Sequence, residues 1–356
     1  MTTVPGSIPR MIFEGLCKVA VIFTAMRAGK ISKKFSNYFL GPLLFAWVLY
    51  SIGRQLQHQP HLQASWASIR ASFSSPRIGY FIALCALMFA NWGIEALKWR
   101  MLVRPIEPIS FWQSFKAVLS GVSFSISTPN RVGEYLGRML YMPEGKRLQV
   151  VALTLVGSLS QLLLTLWAGT LAFIFLHGRL TDSGLVHPFV YRLGLVALVA
   201  GTGVLTLFYF KIAALEKWLE RLLRKASWLY LVTALKEFGM QRLGRLLGLS
   251  AVRYAVFVVQ YLLAFRLFSV DVSLLQAVGV MGLVFLALAI IPSVVLLEVG
   301  IRGEVSLKLI GLFSANSLGI ILTTVTIWLI NLVLPALAGS LLILGVKIFK
   351  KRYEER

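Results

Sequence analysis

The chain has 356 residues, of which 58% are hydrophobic and only 14% charged, and its mean hydropathy is +0.78. Such a composition excludes a soluble globular domain and defines an integral membrane protein. Its charge is lopsided, 36 Lys and Arg against 14 Asp and Glu leaving +22, yet no compact basic, aromatic-interleaved domain exists to grip nucleic acid, so the excess is read as a topology signal.

In chain order, residues 11–26 are apolar but carry Glu14 and Lys18 and precede Arg27, Lys30, Lys33 and Lys34. That pattern predicts an interfacial helix within an N-terminal segment 1–36. A single transmembrane domain is expected over 37–345. It contains a shorter apolar stretch at 37–52 and span-length stretches at 78–97, 148–176, 189–210, 251–270 and 319–345. Residues 211–250 set Lys and Arg between apolar triplets at helical spacing, as an amphipathic linker on an anionic phospholipid surface would. A basic tail, 346–356, closes the chain.

Two further apolar runs, 109–128 and 272–291, each meet a proline, Pro129 or Pro292, and then a Gly-Glu turn. Both predict broken helices. Gly133-Glu134 with Arg138 matches Gly303-Glu304 with Lys308, which predicts two repeat units, 78–176 and 251–345. If both broken segments are re-entrant hairpins, six full spans remain and both termini share one side. With the termini cytoplasmic, 28 basic residues fall inside and eight outside, in keeping with the positive-inside rule. The two units are then inverted, an arrangement that secondary transporters use to build a midplane site. A full crossing by residues 292–318 is the alternative. The expected fold class is thus an all-α polytopic membrane protein.

Ionisable residues inside a bilayer are costly, so their positions are informative. They are Glu95, Lys116, Arg131, Glu134, Arg138, Glu298, Arg302, Glu304 and Lys308, and most sit at the two breaks. Arg131 has no local acidic partner and is the first candidate for a phosphate contact, with snorkelling to the interface as the alternative. Glu134 either satisfies the free N–H groups of a first helical turn, neutralised by Arg138, or has a substrate or proton role. Asn130, Ser127 and Thr128 would support that site. Glu298, Arg302, Glu304 and Lys308 either neutralise one another or hold a ligand. His58 and His61 have no Cys, Asp or Glu beside them, and Cys17 and Cys85 lack metal or redox spacing, so neither a metal nor another cofactor is expected. There is no nucleophile–base arrangement and no Walker-type phosphate loop.

The run Ala96-Leu97-Lys98-Trp99-Arg100, the segment Ser127-Thr128-Pro129-Asn130-Arg131-Val132-Gly133-Glu134 with Arg138, and Pro292 with Glu298-Val299-Gly300-Ile301-Arg302-Gly303-Glu304 together resemble the lysylphosphatidylglycerol synthase transmembrane region, a flippase-like family. The resemblance spans about residues 35–345. It implies a bacterial or archaeal inner-membrane protein that moves lipid. Full-length synthases add a soluble aminoacyl-transferase domain, whereas Arg356 stands eleven residues beyond the last expected span, so the synthase activity is not expected here. Many members carry a Glu-Arg pair in the span after the first motif, where this chain has Gly157-Ser158 and Gln161.

The expected function is translocation of an anionic or phosphate-bearing membrane lipid, not enzymatic catalysis. Its substrate contacts would come from Arg131, Glu134, Arg138, Arg302, Glu304 and Lys308. A membrane-embedded lipid-modifying enzyme with Glu134 or Glu304 as base is the alternative, as is an accessory subunit of an envelope-lipid pathway. Oligomeric state, a homo-oligomer included, is left open.

Overall fold

The computed structural model describes residues 77–126, 128, 132–211, 238–291 and 295–343, and among them every regular element is helical. Residues 1–36, the stretch 37–52, most of the linker 211–250 and the tail 346–356 lie outside the described residues.

Helix α1 (Ile78–Val103) is followed by a short pair, α2 (Phe111–Ser125) and α3 (Gly133–Met139), and then by α4 (Arg147–Phe175). After α5 (His177–Asp182) and α6 (Pro188–Phe210), the same order recurs: α7 (Met240–Leu267), α8 (Leu274–Ile290), α9 (Val295–Ile310) and α10 (Ser317–Trp328). The last helix runs on through a π-helical turn, Leu329–Val333, to Ile343. Among the described residues, five helices, α1, α4, α6, α7 and Ser317–Ile343, are long and apolar enough to cross a membrane. The chain is a membrane-embedded, multi-pass helical protein. At 15, 7, 17 and 16 residues, α2, α3, α8 and α9 fall short of the roughly 20 that a crossing needs.

Each short pair folds back on itself, α3 on α2 and α9 on α8. Both open with the same device. Gln113 accepts the Ser110 N–H at 2.9 Å while Ser110 Oγ accepts the Gln113 N–H, and Gln276 likewise accepts the Ser273 N–H at 3.3 Å. These reciprocal bonds satisfy donors that a helix start leaves open. The first hairpin closes glycine against glycine, since a Cβ on Gly137 would stand 2.5 Å from Gly121 Cα. Side chains there would force the two helices apart.

Between the two halves, α1 packs on α7 and α4 on α8, while Gly339 in the last helix lies against the Leu119 carbonyl of α2. The paired residues give the directions. Along α1 the order Lys98, Glu95, Leu84 meets Ser250, Arg253, Gln260 along α7, so these two helices are antiparallel. Antiparallel first spans are what an inverted pair of units requires. The seam between α4 and α8 is also antiparallel, with Gly169 facing Leu286 and Ala172 facing Gly282. Helix α6 lies at the periphery and buries only Tyr191, Thr202 and Tyr209. It is tied to α4 by the Trp167–Thr206 and Thr170–Thr202 bonds.

One boundary differs from the sequence reading. The span expected from 251 begins at Met240, so the last ten or so residues of the supposed surface linker belong to the bundle. Leu243, Leu246 and Ser250 face inward at helical spacing, while Arg245 is exposed. Window-averaged hydropathy hides such a face because the arginines of the opposite one dilute it.

A buried charge network between the two halves

Asn91, Glu95 and Lys98 recur at helical spacing and therefore share one face of α1. On α7, Ser250, Arg253 and Phe257 do the same. Where these faces meet, the Glu95 carboxylate is the hub. Its Oε1 accepts a bond from Arg138 Nη2 at 2.9 Å, and its Oε2 pairs with Arg253 Nη1 at 3.0 Å and Lys98 Nζ at 3.4 Å. One carboxylate thus joins α1, α7 and the α3 arm of the first hairpin. Glu95, Lys98 and Arg138 are all buried.

Two polar arms leave the hub. Arg253 Nε donates to Asn91 Oδ1 at 2.8 Å, Asn91 Nδ2 to Asn331 Oδ1 at 3.1 Å, and Asn331 Nδ2 to the Ile327 carbonyl at 3.2 Å. Asn331 lies in the π-helical turn of the last span, and such turns concentrate at functional positions. In the other direction Lys98 Nζ donates to Ser250 Oγ at 3.1 Å, and Ser250 bonds Ser160 of α4 at 2.8 Å. Gly157 leaves room for this arm, since a Cβ there would stand 2.8 Å from Leu102 Cδ1 and 3.6 Å from Lys98 Cε. The Arg253 guanidinium also lies over the Trp92 and Phe257 rings, 5.4 and 5.6 Å from their centroids. Such stacking suits arginine's weakly hydrated plane.

Among the described residues, the formal charges in this cluster are three cations, Lys98, Arg138 and Arg253, and two carboxylates, Glu95 and Glu134. Glu134 pairs with Arg138 from one turn earlier on α3, and its side chain retains 24% exposure. Arg138 uses Nη2 for both carboxylates, and its Nε is buried without a hydrogen-bond partner among the described residues. A buried guanidinium with an unused donor is equipped to take a further anionic oxygen.

Of the residues expected at the site, Arg138 and Glu134 join this network. Thr128 is buried, and its hydroxyl accepts the Gly133 N–H at 2.7 Å, so it closes the start of α3. On α9, Arg302 is half-buried, while Glu304 and Lys308 pair with each other at 3.3 Å with side chains 64% and 61% exposed. Ser127, Asn130, Arg131 and the Glu298 side chain lie outside the described residues. Sequence reasoning singled out Glu95 as a buried ionisable residue without placing it at the site, and it missed Lys98, Arg253, Asn91 and Asn331. The available signal was their helical phase, Asn91-x₃-Glu95-x₂-Lys98, facing Ser250-x₂-Arg253.

Among the described residues, five span-length helices, two short helical hairpins and a buried ionic network shared between halves define a polytopic, multi-pass membrane protein. The chain matches the family described as Lysylphosphatidylglycerol synthase TM region over residues 38–339 and belongs to that family. Membership ties it to membrane-lipid biosynthesis or flipping. No curated protein and no solved structure matches the chain.

Proposed function

We propose that this protein is a lipid translocase that moves an anionic, phosphate-bearing lipid between leaflets of the cytoplasmic membrane, with both termini cytoplasmic. The observation that carries this reading is the Glu95 hub, where Arg138, Arg253 and Lys98 converge between antiparallel α1 and α7. Charges buried there are costly and persist only where structure or function requires them. Three cations against two carboxylates favour an anionic headgroup. Arg138 and Arg253 supply guanidinium donors for phosphate oxygens, Glu134 orients Arg138, and Lys98 holds Glu95. Arg302, Glu304 and Lys308 on α9 form a second polar face for the headgroup, with Arg131, Glu298, Ser127, Asn130 and Thr128 beside the two breaks. Alternating access follows from hairpin movement against the α1–α7 seam.

Purified protein reconstituted in vesicles with headgroup-labelled phosphatidylglycerol tests this. Redistribution of the label between leaflets with no new lipid species is the expected result. A covalent product would favour a lipid-modifying enzyme, and neither change would remove the translocase reading.

A further inference from the structure

Glu95 occupies the position that an anionic ligand of Arg138 and Arg253 would need. Its two oxygens are divided between the two guanidinium groups, one on the hairpin and one on α7. Neither arginine gives it a two-pronged bond. Arg138 reaches it through Nη2 alone and keeps Nε unpartnered, and Arg253 reaches it through Nη1 while Nε serves Asn91. A phosphodiester has two unesterified oxygens carrying one negative charge, and it could engage both forks more fully than a shared carboxylate does. Glu95 also has a partner to fall back on, since Lys98 is three residues along the same helix at 3.4 Å.

We propose that Glu95 is a resident counter-anion, displaced from Arg138 and Arg253 when a phosphodiester headgroup binds and retained meanwhile by Lys98. This inference rests on the translocase reading and names its substrate class as lipids with a singly charged phosphodiester. Within the hub itself, three cations and two carboxylates leave a formal +1, which one phosphodiester monoanion neutralises. A headgroup of net positive charge would add to the imbalance. The exchange has a mechanical consequence, because the Glu95–Arg138 pair is an ionic link between α1 and the first hairpin. Headgroup binding and release of that hairpin become one event, and return of Glu95 expels the headgroup.

The test uses the full chain in zwitterionic lipid discs titrated with labelled phosphatidylglycerol, together with turnover in vesicles. Glu95→Gln should bind the lipid about tenfold tighter, a change of roughly 1.4 kcal/mol, and flip it more slowly, because the competitor that ejects it is gone. Arg253→Gln should bind at least tenfold more weakly. If Glu95→Gln does not fold, Glu95→Asp keeps the charge with a shorter reach and should also bind more tightly than wild type. Equal or weaker binding by the folded Glu95 variant, with Arg253→Gln still impaired, overturns the counter-anion role and leaves the translocase reading intact. Failure of every form to prefer phosphatidylglycerol over phosphatidylcholine overturns both. Inorganic phosphate separates the two sources of this chemistry: it should compete poorly with the lipid, and full displacement at equal concentration would overturn the lipid assignment.

Discussion

Glu95 on α1 and Arg253 on α7 stand 158 positions apart in sequence and meet at 3.0 Å in the interior of the bundle. Their contact joins corresponding first spans of the two halves and sets the register in which those helices run past each other. Removing Glu95 takes the carboxylate from Arg253 and Lys98, whereas removing Arg253 takes one of three cations from Glu95. Losing one partner of a buried ion pair costs up to about 3–5 kcal/mol, so the Glu95 loss should be the larger. Glu95→Ala and Arg253→Ala should each lower the thermal midpoint in detergent markedly. The double variant should be less destabilised than the two losses added together, and simple additivity in a double-mutant cycle would deny the coupling.

The antiparallel register can be checked chemically. Gln260 Nε2 donates to the Leu84 carbonyl at 3.2 Å. In a chain with Cys17 and Cys85 replaced by Ser, cysteines at 84 and 260 should cross-link with a short bifunctional maleimide. Cysteines at 84 and 250 should not, and the reverse pattern would indicate parallel helices.

The first hairpin depends on bare backbone contact. Gly137→Ala would drive a Cβ to within 2.5 Å of Gly121 Cα, and overpacking of this kind costs roughly 1–3 kcal/mol. Gly203 on α6 has nothing within 4 Å of a Cβ, so Gly203→Ala should stay within about 1 kcal/mol of wild type. Comparing their thermal midpoints tests whether packing, and not helix propensity, governs the difference.

Asn331 is the acceptor at the end of the Arg253–Asn91 arm. Asn331→Leu leaves the buried Asn91 amide without that acceptor, a loss of about 1–3 kcal/mol. It should also slow lipid movement, since Asn91 helps hold Arg253. A stability loss with unchanged transport would confine the arm to a structural role.

Much of this architecture is legible in the sequence because lipid imposes strong rules. Span-length apolar runs gave four of the five described spans to within a few residues, and the prolines marked both hairpins. The repeated Ser-x-x-Gln before each hairpin, at Ser110 and Ser273, was equally readable as a helix-start signal and independently relates the two units. The site was only half legible. Arg138 and Glu134 stood out because they flank a break. Lys98 and Arg253 did not, because both lie near span ends, where basic residues ordinarily face the cytoplasm, and the positive-inside tally absorbed them. Their burial follows from α7 beginning at Met240, which places Arg253 near the middle of a 28-residue helix. Conversely, Glu304 and Lys308 repeat the spacing of Glu134 and Arg138 but form an exposed pair. Local spacing fixes an i,i+4 ion pair, whereas its depth depends on which helix packs over it.

The most direct measurement of the central claim is leaflet exchange of labelled phosphatidylglycerol in vesicles holding wild type, Arg138→Gln or Arg253→Gln at equal, folded amounts. The buried network as headgroup site predicts exchange by wild type and at least a tenfold loss, about 1.4 kcal/mol, in both variants. Exchange at the wild-type rate in either folded variant would contradict it.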